Sequence, residues 1–92
     1  MCIWIILEHR NVEKKIKKIP REVLARYLVW KDIVENEGPS GPQRMKGFRD
    51  ESLKGVWKGH RSSRLGLKWR VIYQVEKDVL RVLVIELSAH KY

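Results

Sequence analysis

The spacing of apolar residues changes period halfway along the chain, from helical in the first half to strand-like in the second. Residues 2–8 are a run rich in β-branched and aromatic side chains and predict a first, buried strand. Asn11 then offers an N-cap. Val12, Ile16 and Ile19 follow at helical spacing, with lysines 14, 15, 17 and 18 on the remaining surface. Pro20 suits the first turn of a second helix, which places Val23, Tyr27, Trp30 and Val34 on one face and Leu24 and Leu28 beside it. Gly38 stops this helix. Gly38-Pro-Ser-Gly-Pro42 reads as a loop that runs on to about Gly47, because its prolines and glycines disfavour regular structure.

Beyond the loop the period falls to two. Strands are expected from about His60 to Leu65 and from Lys68 to Glu76, with Gly66 at the turn between them. Trp69, Val71, Tyr73 and Val75 should face one way, and Arg70, Ile72 and Gln74 the other. Lys77-Asp78 turns the chain into a last strand, Val79 to Leu87. Trp4, Trp30 and Trp69 are expected in the core, and Trp57 in a basic loop where it is partly exposed.

The order β-α-α-β-β-β predicts an α+β fold: an N-terminal strand and a helical hairpin packed on a four-stranded antiparallel sheet. The helices cover one sheet face. The other is left bare, carries arginines, and is a natural docking surface. Residues 1–92 are read as a single domain.

Charge sharpens this picture. The chain carries a net charge of +9, and the stretch from Arg44 to Arg70 holds nine Lys or Arg residues against two acids, Asp50 and Glu51. Such a field points to an anionic partner, nucleic acid above all. A hydrophobic fraction of 43% argues against disorder. Cys2, the single cysteine, allows neither an intramolecular disulfide nor a cysteine metal cluster, and fits a reducing cytosol. The apolar start is ended by Glu8, far short of the roughly 20 residues a membrane span needs. It also lacks the basic start of a secretion signal. No membrane partner and no small-molecule cofactor are expected.

The candidate chemistry is that of RNA cleavage without a metal. Surface carboxylates often only balance charge, but one held among cations is favoured as the anion, and Glu51 in Asp50-Glu51-Ser-Leu-Lys54 can then accept a proton from a 2′-hydroxyl. Arg64 and Arg70 lie six apart across the Gly66 turn and approach on adjacent strands. Arginine meets phosphate with a planar fork that lysine lacks. Lys54, Lys58, His60, Arg61 and Lys68 add cationic or polar contacts to RNA, and Trp57 can stack on a base. His90 offers an imidazole whose ordinary pKa, about 6.5, suits a general acid, and Tyr92 a phenol for a base or a phosphate oxygen. A terminal His-x-Tyr is also what a frayed tail looks like. No third carboxylate or histidine stands at metal-ligand spacing from Asp50 and Glu51, and there is no glycine-rich phosphate loop.

Leu53-Lys-Gly55, Arg61-Ser-Ser-Arg64, Trp69-Arg70-Val-Ile-Tyr73-Gln-Val75 and the closing His90-Lys-Tyr92 resemble the RelE/ParE superfamily of bacterial and archaeal toxins. These are the toxin halves of type II toxin–antitoxin systems. The acid before Leu-Lys and the terminal histidine and tyrosine are more similar to the RelE/YoeB-like mRNA interferase branch. The resemblance implies Glu51 as general base, Arg70 and Arg64 as phosphate-stabilising groups, His90 as general acid and Tyr92 as the terminal tyrosine. Lys91 between His90 and Tyr92 departs from the His-Tyr ending of the YoeB-like enzymes. The resemblance further implies a prokaryotic cytoplasmic toxin, an mRNA and ribosome substrate, and a cognate antitoxin protein as partner. Two other readings stay open: a ParE-type inhibitor of DNA gyrase, which needs no acid–base pair, and a degenerate domain that only binds RNA or an antitoxin.

Overall fold

The computed structural model describes residues 3–89. In chain order the elements are β1 (Ile5–Glu8), α1 (Arg10–Ile16), α2 (Arg21–Glu37), α3 (Ser40–Arg44), β2 (Glu51–Ser52), β3 (Arg61–Arg64), β4 (Trp69–Glu76) and β5 (Arg81–Ala89). Single 3₁₀ turns lie at Lys46–Phe48, Gly55–Trp57 and Lys77–Val79. Among the described residues, no helix is long and apolar enough to cross a membrane.

The helical period of α2 is what builds the core. Val23, Tyr27, Trp30 and Val34 are all buried, as their spacing predicts. The Trp30 ring stacks near Tyr27, with centroids 5.9 Å apart, and meets Tyr73 of β4 edge-on at 5.2 Å. Trp30 Nε1 donates to Ser63 Oγ at 3.0 Å, so the indole is buried with its polar atom satisfied. Gly38 ends the helix at φ 82°, a conformation that costs glycine little, and a Cβ there would stand 2.5 Å from Trp4 Nε1.

The sheet has five strands in the order β1-β5-β4-β3-β2. The α+β class and the helix-on-sheet arrangement stand as expected, with two differences of detail. A two-residue strand, β2, extends the far edge, and β1 joins β5 in parallel, with Ile5 opposite Arg81 and Glu8 opposite Val84. The other pairs are antiparallel. Strand β1 is not the buried strand expected of an apolar run. It is an edge strand: Ile6 packs towards the core, while Ile3, Ile5 and Leu7 are exposed. Its Glu8 turns to the helices and accepts from Tyr27 OH at 2.5 Å and from Lys31 Nζ at 3.1 Å.

In β4, Val71 and Tyr73 alternate into the core as predicted. In β5 the buried positions are Val82, Val84 and then Leu87, a break in strict alternation. The register explains it: Tyr73 pairs with Val84 but Ile72 with Glu86, so Ile85 is the extra residue of a β-bulge. The loop expected over 38–47 is also partly regular. Ser40–Arg44 is a short helix and Lys46–Phe48 one 3₁₀ turn. Pro39 and Pro42 fall where a helix has no partner for its first N–H groups, so neither proline opposes it. Helix α1 starts one residue before Asn11, with His9 as N-cap: its Nδ1 accepts from the Asn11 N–H at 3.1 Å.

Candidate active site on the second sheet face

Strand alternation decides which charged residues share a face. On β3, Ser62 and Arg64 point away from the core, and on β4 so do Arg70 and Ile72, because their neighbours Val71 and Tyr73 are core residues. The register aligns these positions into two rows. Glu51, Ser62, Ile72 and Glu86 are consecutive partners across β2, β3, β4 and β5. Arg64, Arg70 and Ser88 form the next row. Arg64 and Arg70 are direct partners, which brings their Cβ atoms to about 5 Å, and Glu51 is the diagonal neighbour of Arg64 at roughly 7–8 Å. Two carboxylates and two guanidinium side chains therefore project from this face, with Glu86 diagonal to Arg70 as Glu51 is to Arg64.

This face is less bare than the element count suggests. Ser62, Arg70 and Ile72 are buried along its middle, while Arg64 is half-buried and Glu51 exposed. The result is a shaded strip with an accessible carboxylate at its β2 end.

The remaining candidates are distributed differently. Lys68 lies exposed in the β3–β4 turn, beside the Arg64–Arg70 pair in sequence. Lys54, Trp57, Lys58 and His60 belong to the β2–β3 connection at the other end of β3. There the Leu53 N–H donates to the His60 carbonyl at 2.9 Å, and Trp57 and His60 meet edge-on with centroids 5.3 Å apart. Arg61 stands apart from Arg64 and Arg70. It is the partner of Tyr73, on the helix-covered face, and its Nε donates to Asp50 Oδ1 at 2.7 Å. It stands three positions before Arg64, an odd offset, which a period of two places on opposite faces. His90 and Tyr92 lie outside the described residues.

Asp50, which local sequence marks only as the neighbour of Glu51, is the most thoroughly held side chain of the region. It is fully buried. Besides Arg61, it accepts from Ser63 Oγ and Tyr73 OH, both at 2.5 Å on Oδ2. Burial raises the Tyr73 pKa, as do the hydrogen bond to Asp50 and that group's charge. Asp50 thus clasps β3 and β4 from the core side, while the next residue, Glu51, pairs with Ser62 on the second face. The same two strands that carry Arg64 and Arg70 fix the carboxylate's backbone. Among the described residues, no three His, Cys, Asp or Glu side chains gather where they could hold a metal ion.

Comparison with known proteins places this arrangement. No protein-family model and no curated protein sequence matches the chain. Solved structures do. An archaeal RelE, in its complex with RelB from Pyrococcus horikoshii, is 27% identical, with a TM-score of 0.75 over 95% of this chain and 94% of that one. The chain belongs to the RelE/ParE toxin superfamily. Its likeness to the RelE/YoeB-like branch extends to the E. coli DinJ–YafQ toxin–antitoxin complex, at 17% identity and TM-score 0.76 over 96% and 93% of the two chains. It extends also to the YoeB–YefM complex of Staphylococcus aureus, at 14% identity and TM-score 0.73 over 96% and 98%. These last two identities carry the fold. In this RelE/ParE-superfamily chain, the Arg-Val-Ile-Tyr segment lies in β4, with Tyr73 held by Asp50 and Arg70 in the arginine row.

Proposed function

We propose that this protein is the toxin of a type II toxin–antitoxin pair and acts as a ribosome-dependent mRNA endoribonuclease. The observation that carries the reading is the register that sets Glu51 diagonal to Arg64, itself opposite Arg70, on one sheet face. Glu51 removes the proton of an RNA 2′-hydroxyl, and the 2′-oxygen attacks the adjacent phosphorus. Arg64 and Arg70 stabilise the negative charge that builds on the non-bridging oxygens. The P–O5′ bond breaks, leaving a 2′,3′-cyclic phosphate. His90 delivers a proton to the departing 5′-oxygen, which becomes a 5′-hydroxyl. The bond order balances without an oxidant, a metal or a second substrate. The partner is a cognate antitoxin, as in the RelE–RelB, YoeB–YefM and DinJ–YafQ complexes.

The test is to express the chain and its variants in a bacterial host and map message ends. The wild type should halt translation and cut mRNA within codons. Glu51→Gln preserves shape and removes the proton acceptor, so cleavage should fall by about 10²–10⁴. Arg70→Lys keeps charge but loses the fork and should also be strongly impaired. Broken DNA with intact message would instead indicate a gyrase poison of the ParE type.

A further inference from the structure

Three arginines from distant parts of the chain line one open groove of about 410 Å³: Arg26 of α2, Arg49 just before β2, and Arg64 at the end of β3. Gly47, Gly66 and Leu67 complete the lining, and no carboxylate is among these residues. The ion pairs found among the described residues engage none of the three arginines.

Two of the three are held in place by the fold. The Arg26 guanidinium lies over the buried Phe48 ring, 4.3 Å from its centroid. Gly47 leaves room for it, since a Cβ there would stand 2.8 Å from Arg26 Nη2. Arg49 adopts the left-handed conformation at φ 42° and ψ 49°, which a non-glycine residue takes up only at an energetic cost. It is fixed between buried Phe48 and the clasped Asp50. Three like charges around one groove repel unless an anion lies among them, and guanidinium forks match phosphate oxygens.

We infer that this groove is a second phosphate site, which takes an RNA phosphodiester neighbouring the one held at Arg64 and Arg70; this rests on the nuclease reading. Arg64 belongs to both sites, so the strand is gripped on either side of it and its register over Glu51 is set by the groove. Leu67, fully exposed at the groove's lip, gives an apolar surface for a base or sugar.

The experiment uses a hexanucleotide of 2′-O-methyl RNA, which has no 2′-hydroxyl and is not cut. Its affinity is measured against salt for the wild type, Arg26→Gln, Arg49→Gly and the double variant. The double variant should bind at least tenfold more weakly at low salt. Its slope of log affinity against log salt should be shallower by about 0.7 for each phosphate the variant no longer neutralises. Arg49→Gly should keep or raise the unfolding temperature, since it relieves both strain and repulsion, which separates weakened binding from impaired folding. Unchanged affinity and slope in the double variant, or no measurable binding by the wild type, would overturn the inference. So would a double variant that binds the oligonucleotide normally but no longer binds the antitoxin, because the groove would then serve a protein. Glu51→Gln measured alongside keeps the two readings apart: if it still cleaves message, the nuclease mechanism fails, while the oligonucleotide data judge the groove.

Discussion

Asp50 shows how one carboxylate can fix the geometry of a site without lying in it. Its two oxygens collect a guanidinium and two hydroxyls from β3 and β4, and the following peptide carries Glu51 to the other face. Asp50→Ala would leave a guanidinium, a serine and a buried tyrosine without their acceptor, and should cost about 3–5 kcal/mol. Tyr73→Phe removes one donor and leaves Asp50 two, so about 1–2 kcal/mol is expected. Urea unfolding measures both. The tyrosines also set a pH dependence. Burial raises the Tyr73 pKa, helped by Asp50, and burial raises that of Tyr27, helped by its hydrogen bond to Glu8. Both stay protonated in the native state where an unfolded tyrosine, at about 10, ionises. Their contribution is therefore fully present below about pH 10 and is lost as pH rises above it, each by up to about 1.4 kcal/mol per pH unit. Unfolding free energies between pH 9 and 11.5 should fall along this line, and Tyr73→Phe should remove about half of the slope.

At the scale of elements, Gly38 joins two of them. It ends α2 in a left-handed conformation, and its missing Cβ gives the Trp4 ring its place beside β1. Gly38→Ala both strains the backbone and pushes the indole, so a loss of about 1–3 kcal/mol is expected in denaturant unfolding. This helix end was legible in the sequence because glycine chemistry is local. So was the buried face of α2, where one period governs Val23, Tyr27, Trp30 and Val34. The Arg64–Arg70 pairing was legible too, because the Gly66 turn holds the two strands in register. What escaped depends on packing. The bulge at Ile85 lies in Val82-Leu-Val-Ile-Glu-Leu87, where four consecutive apolar residues mask the period and only Glu86, which strict alternation from Val84 would bury, marks the break. Strand β1 looks buried by composition but is exposed on one side because it is an edge. The arginine groove escaped because Arg26 reads as an ordinary polar position of a helix and joins Arg49 only through Phe48. Arg61 was the avoidable miss: its three-residue offset from Arg64 already put it on the other face.

At the scale of the molecule, two groups of cations among the described residues differ in how they are held. The arginines of the second sheet face and of the groove beside β3 are placed by register and packing. The lysines of α1 and of the turn after it are placed by exposed surface alone: Lys14, Lys15 and Lys18 line a groove of about 320 Å³ with Asn11, Glu86 and Leu87. Lys15 is the exception among them. Its Nζ donates to the Leu87 carbonyl at 3.3 Å and lies 5.9 Å from the Trp69 ring centroid, so it closes the edge of β5 beyond the end of β1. This division yields opposite outcomes for chemically identical changes. Lys15→Gln should cost about 1 kcal/mol of stability, from one hydrogen bond and one cation–π contact. Replacing Lys14, Lys17 and Lys18 with glutamine should leave stability within about 0.5 kcal/mol, as for exposed positions generally. The triple variant should nonetheless bind a ribosome or RNA more weakly at low salt, with a shallower salt slope, since long-range attraction to phosphate is a sum over exposed charges. Single-turnover cleavage at saturating substrate should be unchanged, because these lysines stand outside the rows that hold Glu51, Arg64 and Arg70. A triple variant with slowed cleavage at saturation would mean that α1 also touches the reacting phosphate, and the two groups of cations would then be one.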